Sequence, residues 1–324
     1  MDPKVLSTIL RFDLKSFIHK TFRTLNPGAT LNNAWYLDCI SQTLQEITNK
    51  GGQRIIINIP PRCLKSLSIS VAWPAWLLGI NPTLRIIVAS YAQNLSTKHS
   101  IDCRAIIQTD WYRKTFPKTK LLPYQNTKNK YMTSQFGFRM ATSIGGSVTG
   151  EGADILIVDD PHNPTYINCV NIRNKAINWF EQTFMSRLNN PAQGSVIIVM
   201  QRLHCNDLTN YLLSKDNWQL LKIPALSKCD QYISFNNKQY FFAINQTIDA
   251  KRLPCKELEK IKIQIGQASF NAQYMQEPVE LNIGMLAKEE IRFYENLPTF
   301  SQIYQSWDTA IKVGENCDYS VCTT

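Results

Sequence analysis

Residues 54–72 read RIIINIPPRCLKSLSISVA and combine three pieces of local structure. An apolar run at 54–59 is followed by a short loop and then by a second apolar run, which is the order strand, tight loop, helix. The backbone N–H groups of such a loop and the positive end of the helix can hold phosphate groups. Lys65 and Ser66 would supply a cation for the phosphates and a hydroxyl for Mg²⁺. We therefore predict a nucleotide phosphate-binding loop at 60–66.

The predicted loop differs from the usual phosphate-binding pattern at two positions. That pattern places glycines where this chain has Ile59 and Leu64, so the assignment depends on acidic residues elsewhere in the chain. Arg62 has a planar, permanently charged head that suits either a phosphate contact or a pair with a catalytic carboxylate. The residues predicted to bind the nucleotide are Pro61, Arg62, Cys63, Leu64, Lys65 and Ser66.

Composition indicates an ordinary soluble globular protein. The chain has 324 residues, of which 44% are hydrophobic and 19% charged, and its mean hydropathy is −0.23. This length is enough for one large domain and part of another. The longest apolar runs are too short to span a bilayer, and the N-terminus lacks the apolar core of a signal peptide. We therefore expect a cytoplasmic protein with no membrane partner.

The net charge of +10 and the isoelectric point near 9.1 favour an anionic partner such as nucleic acid. An alternative is that an AT-rich genome enriches lysine, asparagine and isoleucine without selecting a binding surface. Charge alone leaves both explanations open.

Strands alternate with helices along the first two thirds of the chain. This alternation predicts an α/β fold with a mainly parallel sheet covered by helices on both faces. From about residue 217 the pattern weakens into short polar strands and one charged helix, which we interpret as a small lid. The predicted domains are an ATPase core at 1–216, a lid or linker at 217–284 and a further domain that begins at 285.

The second acidic feature of the predicted site is the pair Asp159 and Asp160 at the end of an apolar strand. Downstream of a Lys-Ser loop, this is the Walker B arrangement of nucleotide hydrolases. Asp159 would hold the Mg²⁺ shell, and Asp160 would polarise the attacking water, a role that glutamate fills more often. The alternative is a strand that simply ends in a polar turn.

Gln201 and Arg202 follow the next predicted strand. Because the carboxyl ends of parallel strands share one edge of a sheet, both side chains could reach the γ-phosphate. They could equally belong to a polar strand-to-helix turn. The glycine-rich loop at 143–152 is either a flexible nucleic-acid or nucleotide-sensing loop or an ordinary connection.

The segment 305–310, QSWDTA, is typical of the first strand of an RNase H-like nuclease. Such enzymes use two Mg²⁺ ions, which need several carboxylates from separate strands. Asp308 is the first of these, and the sequence ends at Thr324 without the others. We therefore expect 285–324 to be the truncated start of a nuclease domain, in which Asp308 is a remnant metal ligand.

Together these segments resemble the large terminase subunit of tailed bacteriophages, in the form found in prophages of alphaproteobacteria. The resemblance runs in family order through nearly the whole chain. Besides the loop and the two acidic segments, it includes TLNPG at 24–28, AWPAWLLG at 72–79, SYAQ at 90–93, DWYR at 110–113, GEGAD at 150–154, MQRLH at 200–204 and QY at 273–274. In this family the loop commonly has histidine at the position of Cys63 and glycine or leucine at that of Leu64.

The resemblance implies an ATP- and Mg²⁺-dependent motor that moves viral double-stranded DNA into a procapsid. Its members cut concatemeric DNA with a C-terminal nuclease. They work as a homo-oligomeric ring on the portal protein, with a small terminase subunit that selects the DNA. For this chain it implies the ATPase part and only the beginning of the nuclease part.

Two further hypotheses are open at the level of sequence. A degenerate prophage remnant would bind nucleotide or DNA without motor activity, and the early end of the nuclease segment favours it. A helicase-like ATPase would share the loop, but the chain lacks the accessory motifs and the second motor domain of common helicases.

Overall fold

An eight-stranded sheet organises the protein, in a computed structural model that describes residues 2–215, 217–235, 238–279, 301–308 and 321–323. The strands are β1 Arg54–Asn58, β2 Arg85–Ser90, β3 Leu121–Asn126, β4 Lys130–Thr133, β5 Phe138–Ser143, β6 Ile155–Asp159, β7 Ser195–Met200 and β8 Gln219–Lys222. Their spatial order is β3-β4-β5-β2-β6-β7-β1-β8. All neighbours from β5 to β8 are parallel, and β3 and β4 add an antiparallel edge. The predicted α/β fold with a mainly parallel sheet is confirmed.

The central strands are apolar along their whole length because both faces of the sheet are covered. Alternate side chains point to opposite faces: Ile55 and Ile57 belong to one core cluster, and Ile56 belongs to the other.

Helices pack on both faces. The helices of this part of the chain are α1 Pro3–Phe12, α2 Leu14–Leu25, α3 Trp35–Lys50, α4 Trp73–Ile80, α5 Gln93–Ile107, α6 Asp110–Thr115, α7 Val170–Trp179 and α8 Leu208–Leu213. The first core cluster includes side chains from α1 to α5, and the second includes side chains from α7 and α8. None of the described helices is long and apolar enough to cross a bilayer.

The segment 217–279 packs against this core. Its first strand, β8, pairs with β1 and so belongs to the main sheet. The hairpin β9 Gln231–Phe235 and β10 Lys238–Phe242 and the helices α9 Cys255–Ile265 and α10 Gln267–Gln273 follow. The ring of Tyr240 stacks on the indole of Trp35 with centroids 4.1 Å apart. Residues 1–279 form one compact unit, which therefore includes most of the segment predicted as a lid.

The second unit is 280–324. Within it, β11 Ser306–Asp308 pairs antiparallel with β12 Val321–Thr323. The domain boundaries at 216/217 and 284/285 remain predictions.

Candidate nucleotide-binding site

The loop at 60–66 joins β1 to a helix and has an unusual backbone. Arg62 and Leu64 adopt left-handed conformations, with φ of 63° and 56°. Side chains with a Cβ atom occupy this region at a cost of about 1–2 kcal/mol each, whereas glycine occupies it freely. The loop therefore has the left-handed turn that glycine usually provides, with Leu64 in that place. Strain of this kind concentrates at functional sites, where the surrounding structure enforces it.

The helix that follows the loop begins as a π-helix over Leu67–Ala72. Such turns are rare and occur frequently at functional sites. Here the turn leads into Pro74, which has no N–H. Pro74 therefore cannot donate the usual helical hydrogen bond to the carbonyl four residues earlier, that of Ser70. That carbonyl instead accepts a hydrogen bond from Nη2 of Arg139, at 3.1 Å.

The side chain of Lys65, on the loop after β1, contacts residues that follow the two neighbouring strands β6 and β7. Its side chain is 9% exposed, and its Nζ lies 3.1 Å from Oδ2 of Asp160. The same Nζ donates to Oε1 of Gln201 at 3.0 Å. The loop after β1, the residue after β6 and the residue after β7 therefore converge on one ammonium group, as expected for the shared edge of parallel strands.

Asp159 is fully buried at the end of β6. Ser66 Oγ donates to its Oδ1 at 3.1 Å, and Ser70 Oγ donates to its Oδ2 at 2.7 Å. Nδ1 of His99, on α5, lies 3.5 Å from the same Oδ2. A serine hydroxyl beside a carboxylate is a set of oxygen donors that Mg²⁺ prefers. Ser66 and Asp159 therefore fit a magnesium ion.

The electrostatics of the pair follow from burial and from Lys65. Burial raises the pKa of Asp159 and of Asp160, and the Lys65 ammonium is the largest influence that lowers it again. Burial also lowers the pKa of His99 to about 4, so that its imidazole is neutral near pH 7. Lys65 is thus the main positive charge that opposes the effect of burial on both carboxylates.

Arg139 lies beneath this site and is fully buried on β5. Its Nη2 donates to Ser70, whereas its Nε and Nη1 have no hydrogen-bond partner among the described residues. The guanidinium also forms no ion pair with any described carboxylate. Its positive charge nevertheless lowers the pKa of Asp159. Ser70 therefore connects a buried guanidinium to the buried carboxylate.

The two predicted arginines have different surroundings. Arg62 is exposed on the loop. Arg202 is 11% exposed, and its Nε lies 2.8 Å from Oδ2 of Asp207, the residue that caps α8. The backbone N–H of Arg202 donates to Oε1 of Gln276 at 2.9 Å. The structure thus brings Gln201 to Lys65, whereas the Arg202 guanidinium pairs with Asp207.

Cys63 connects the loop to the segment 217–279. Its side chain is fully buried, and Nη2 of Arg252 donates to its Sγ at 3.2 Å. Burial raises the pKa of the thiol to about 11, so it stays protonated near neutral pH. Leu64 and Pro61 are half-buried. The predicted nuclease residue Asp308 ends β11, but its side chain and residues 309–320 lie outside the described residues.

Sequence reasoning missed Ser70, His99, Arg139, Asp207 and Arg252. Arg139 alone carried a visible signal, since a charged residue within the run FRMATS at 138–143 is unusual for a strand of this sheet. The others lie within elements that no nucleotide-binding pattern covers.

Comparison with known proteins agrees with the fold. The solved large terminase ATPase domain of Thermus phage P74-26 is 10% identical to the chain, with a TM-score of 0.51, and the match covers 73% of this chain and 93% of that one. An arginine-to-alanine mutant of that domain matches equally well. The large terminase of bacteriophage HK97 is 12% identical, with a TM-score of 0.49, over 83% of this chain and 55% of that one. No protein-family model and no curated protein matches the chain. The likeness therefore shows the fold of a terminase ATPase domain.

Proposed function

We propose that the chain is a Mg²⁺-dependent ATPase of the large terminase type that moves double-stranded DNA. The observation that carries this proposal is the convergence of Lys65, Ser66, Asp159, Asp160 and Gln201 at one sheet edge. The portal protein, a small terminase subunit and a ring of identical subunits are the partners that this function implies.

Each residue of the site has one role in the proposed reaction. Ser66 and Asp159 would hold Mg²⁺, which neutralises charge on the β- and γ-phosphates. Lys65 would exchange its contact with Asp160 for a phosphate, and the released Asp160 carboxylate would accept a hydrogen bond from the attacking water. Gln201 would report whether the γ-phosphate is present, because it shares the same ammonium group.

Arg62 is the guanidinium best placed to stabilise charge that develops on the γ-phosphate, because it is exposed on the loop and forms no ion pair with a described carboxylate. A direct phosphate contact by Arg202 remains a prediction, since it would require this side chain to leave Asp207.

ATP turnover by the purified chain tests the proposal. We expect Mg²⁺-dependent hydrolysis that double-stranded DNA stimulates. Binding of nucleotide without turnover would favour the remnant hypothesis instead. Turnover that is independent of Mg²⁺ would contradict the roles given to Ser66 and Asp159.

Substitution of Arg62 separates backbone strain from chemistry. Arg62→Ala removes the guanidinium but keeps a Cβ atom at a φ of 63°, whereas Arg62→Gly removes both. We expect the glycine variant to be more stable than the alanine variant by about 0.5–1 kcal/mol in urea unfolding. Both variants should lose ATP turnover equally, by about 10-fold. Equal stabilities would contradict the strain, and unchanged turnover would contradict the role of the guanidinium.

A further inference from the structure

The segment 111–150 has a strongly one-sided charge. It contains seven lysines and arginines and no aspartate or glutamate. Lys130 pairs with Glu151, and Arg139 is buried. The remaining five side chains are exposed, and none of them forms an ion pair with a carboxylate in the described part of the chain. They are Arg113, Lys114, Lys118, Lys120 and Lys128.

Two of these cations, Arg113 and Lys120, line a groove. It has a volume of about 690 Å³ and is lined by the end of α5, by α6 and by β3. Ile107, Pro117 and Leu121 give it an apolar lining, while Arg113 and Lys120 contribute positive charge. Arg104 on α5 donates from Nη1 to the carbonyl of Asn126 at 3.0 Å, which holds β3 against the helix. We call this feature the basic groove.

Protection of a sheet edge is the competing explanation for the lysines. β3 is an edge strand, and charged residues on edges prevent association with other strands. However, Pro123 and an irregular pairing with β4 already interrupt this edge. None of the five cations lies within β3, and Arg113 and Lys114 lie on α6. The positive charge therefore extends beyond what protection of the edge requires.

We propose that the basic groove binds the phosphodiester backbone of double-stranded DNA. Duplex DNA carries about one negative charge per 1.7 Å of its axis, so exposed cations without carboxylate partners at and near the groove are complementary to it and need no base contacts. The groove is at the β3 edge of the sheet, and four strands separate β3 and β4 from β1, so DNA and nucleotide occupy separate places. The choice of DNA rests on the proposed function.

The experiment compares two triple variants by fluorescence anisotropy with a duplex of about 25 base pairs, without nucleotide and over about 50–200 mM salt. The groove variant is Arg113→Gln, Lys118→Gln, Lys120→Gln. The control variant is Lys4→Gln, Lys251→Gln, Lys256→Gln, which removes the same charge from exposed lysines elsewhere. We expect the groove variant to bind at least about 10-fold more weakly, with a slope of log K against log salt that is smaller by about 2–3.

Equal losses in the two triple variants would overturn the proposal, because they would show that only net charge matters. If the groove variant aggregates, the double variant Arg113→Gln, Lys114→Gln replaces it. This variant changes only α6 and should reduce the slope of log K against log salt by about 2. An unchanged slope there, or binding to phosphatidylglycerol vesicles but not to the duplex, would also overturn it. The DNA-binding measurement contains no ATP. A chain that fails the ATPase assay can therefore still pass or fail this test of the basic groove.

Discussion

Lys65→Ala is expected to reduce ATP turnover by about 10³-fold, to a level near background. The Nζ of Lys65 is 3.1 Å from Asp160 and 3.0 Å from Gln201. Its removal therefore takes away the cation that would meet the phosphates and also the one that most strongly lowers the pKa of both carboxylates. Without it, Asp159 and Asp160 repel each other and the phosphates.

The measurement is steady-state ATP hydrolysis, combined with nucleotide binding by calorimetry. Lys15→Ala is the matched control, because Lys15 also pairs with an aspartate, at 2.7 Å from Asp38, and lies outside the site. Turnover should be unaffected in the control. Undiminished turnover in Lys65→Ala would contradict the assignment of the whole loop.

The part of the site that the sequence predicted consists of residues that follow strand ends. Asp159, Asp160 and Gln201 lie at the end of an apolar run that predicts a buried strand or directly after it, and Lys65 lies on the loop that follows another such run. Parallel strands present their carboxyl ends together. Pattern and geometry coincide there because the sheet itself brings the residues together. The predicted residues on the loop and at the strand ends therefore lie at one edge.

The rest of the site depends on packing between elements, which local patterns do not encode. His99 reaches Asp159 from the middle of α5, and Arg252 reaches Cys63 across 189 positions of sequence. Residues 109–135 contain one helix and two strands, whose prolines and lysines interrupt the alternation that indicates a strand. Residues 170–187 are helical in three forms, with a π-turn and a 3₁₀ turn after α7.

Arg139→Met is expected to lower ATP turnover by about 100-fold while leaving the protein as stable as before, or more stable. Among the described residues, the fully buried guanidinium has one hydrogen bond and no carboxylate partner, which is costly. Replacing a buried charge with an apolar side chain of similar length is often neutral or stabilising. The loss of a partner for the carbonyl of Ser70 opposes this gain by about 1–3 kcal/mol. The free energy of unfolding should therefore change by no more than about 2 kcal/mol.

Activity should fall because Ser70 holds Asp159, the carboxylate that we propose binds Mg²⁺. Its carbonyl is held by Arg139 and its hydroxyl is 2.7 Å from Asp159, so loss of the guanidinium releases both groups. A displacement of about 1 Å at a reacting centre can cost about 100-fold in rate. Mn²⁺ affinity, measured by electron paramagnetic resonance in the presence of ADP, should fall in parallel with turnover.

Arg139→Lys is the matched variant, since it keeps the charge and can donate to the same carbonyl. We expect it to recover a large part of both turnover and Mn²⁺ affinity. A loss of turnover that parallels a loss of stability across the variants would contradict a positioning role and make Arg139 a structural residue. Full activity in Arg139→Met would also contradict that role and would leave the burial of Arg139 without a functional reason. The expected combination of retained stability and lost activity is the one that a purely structural arginine would not produce, because removing such a residue lowers both together.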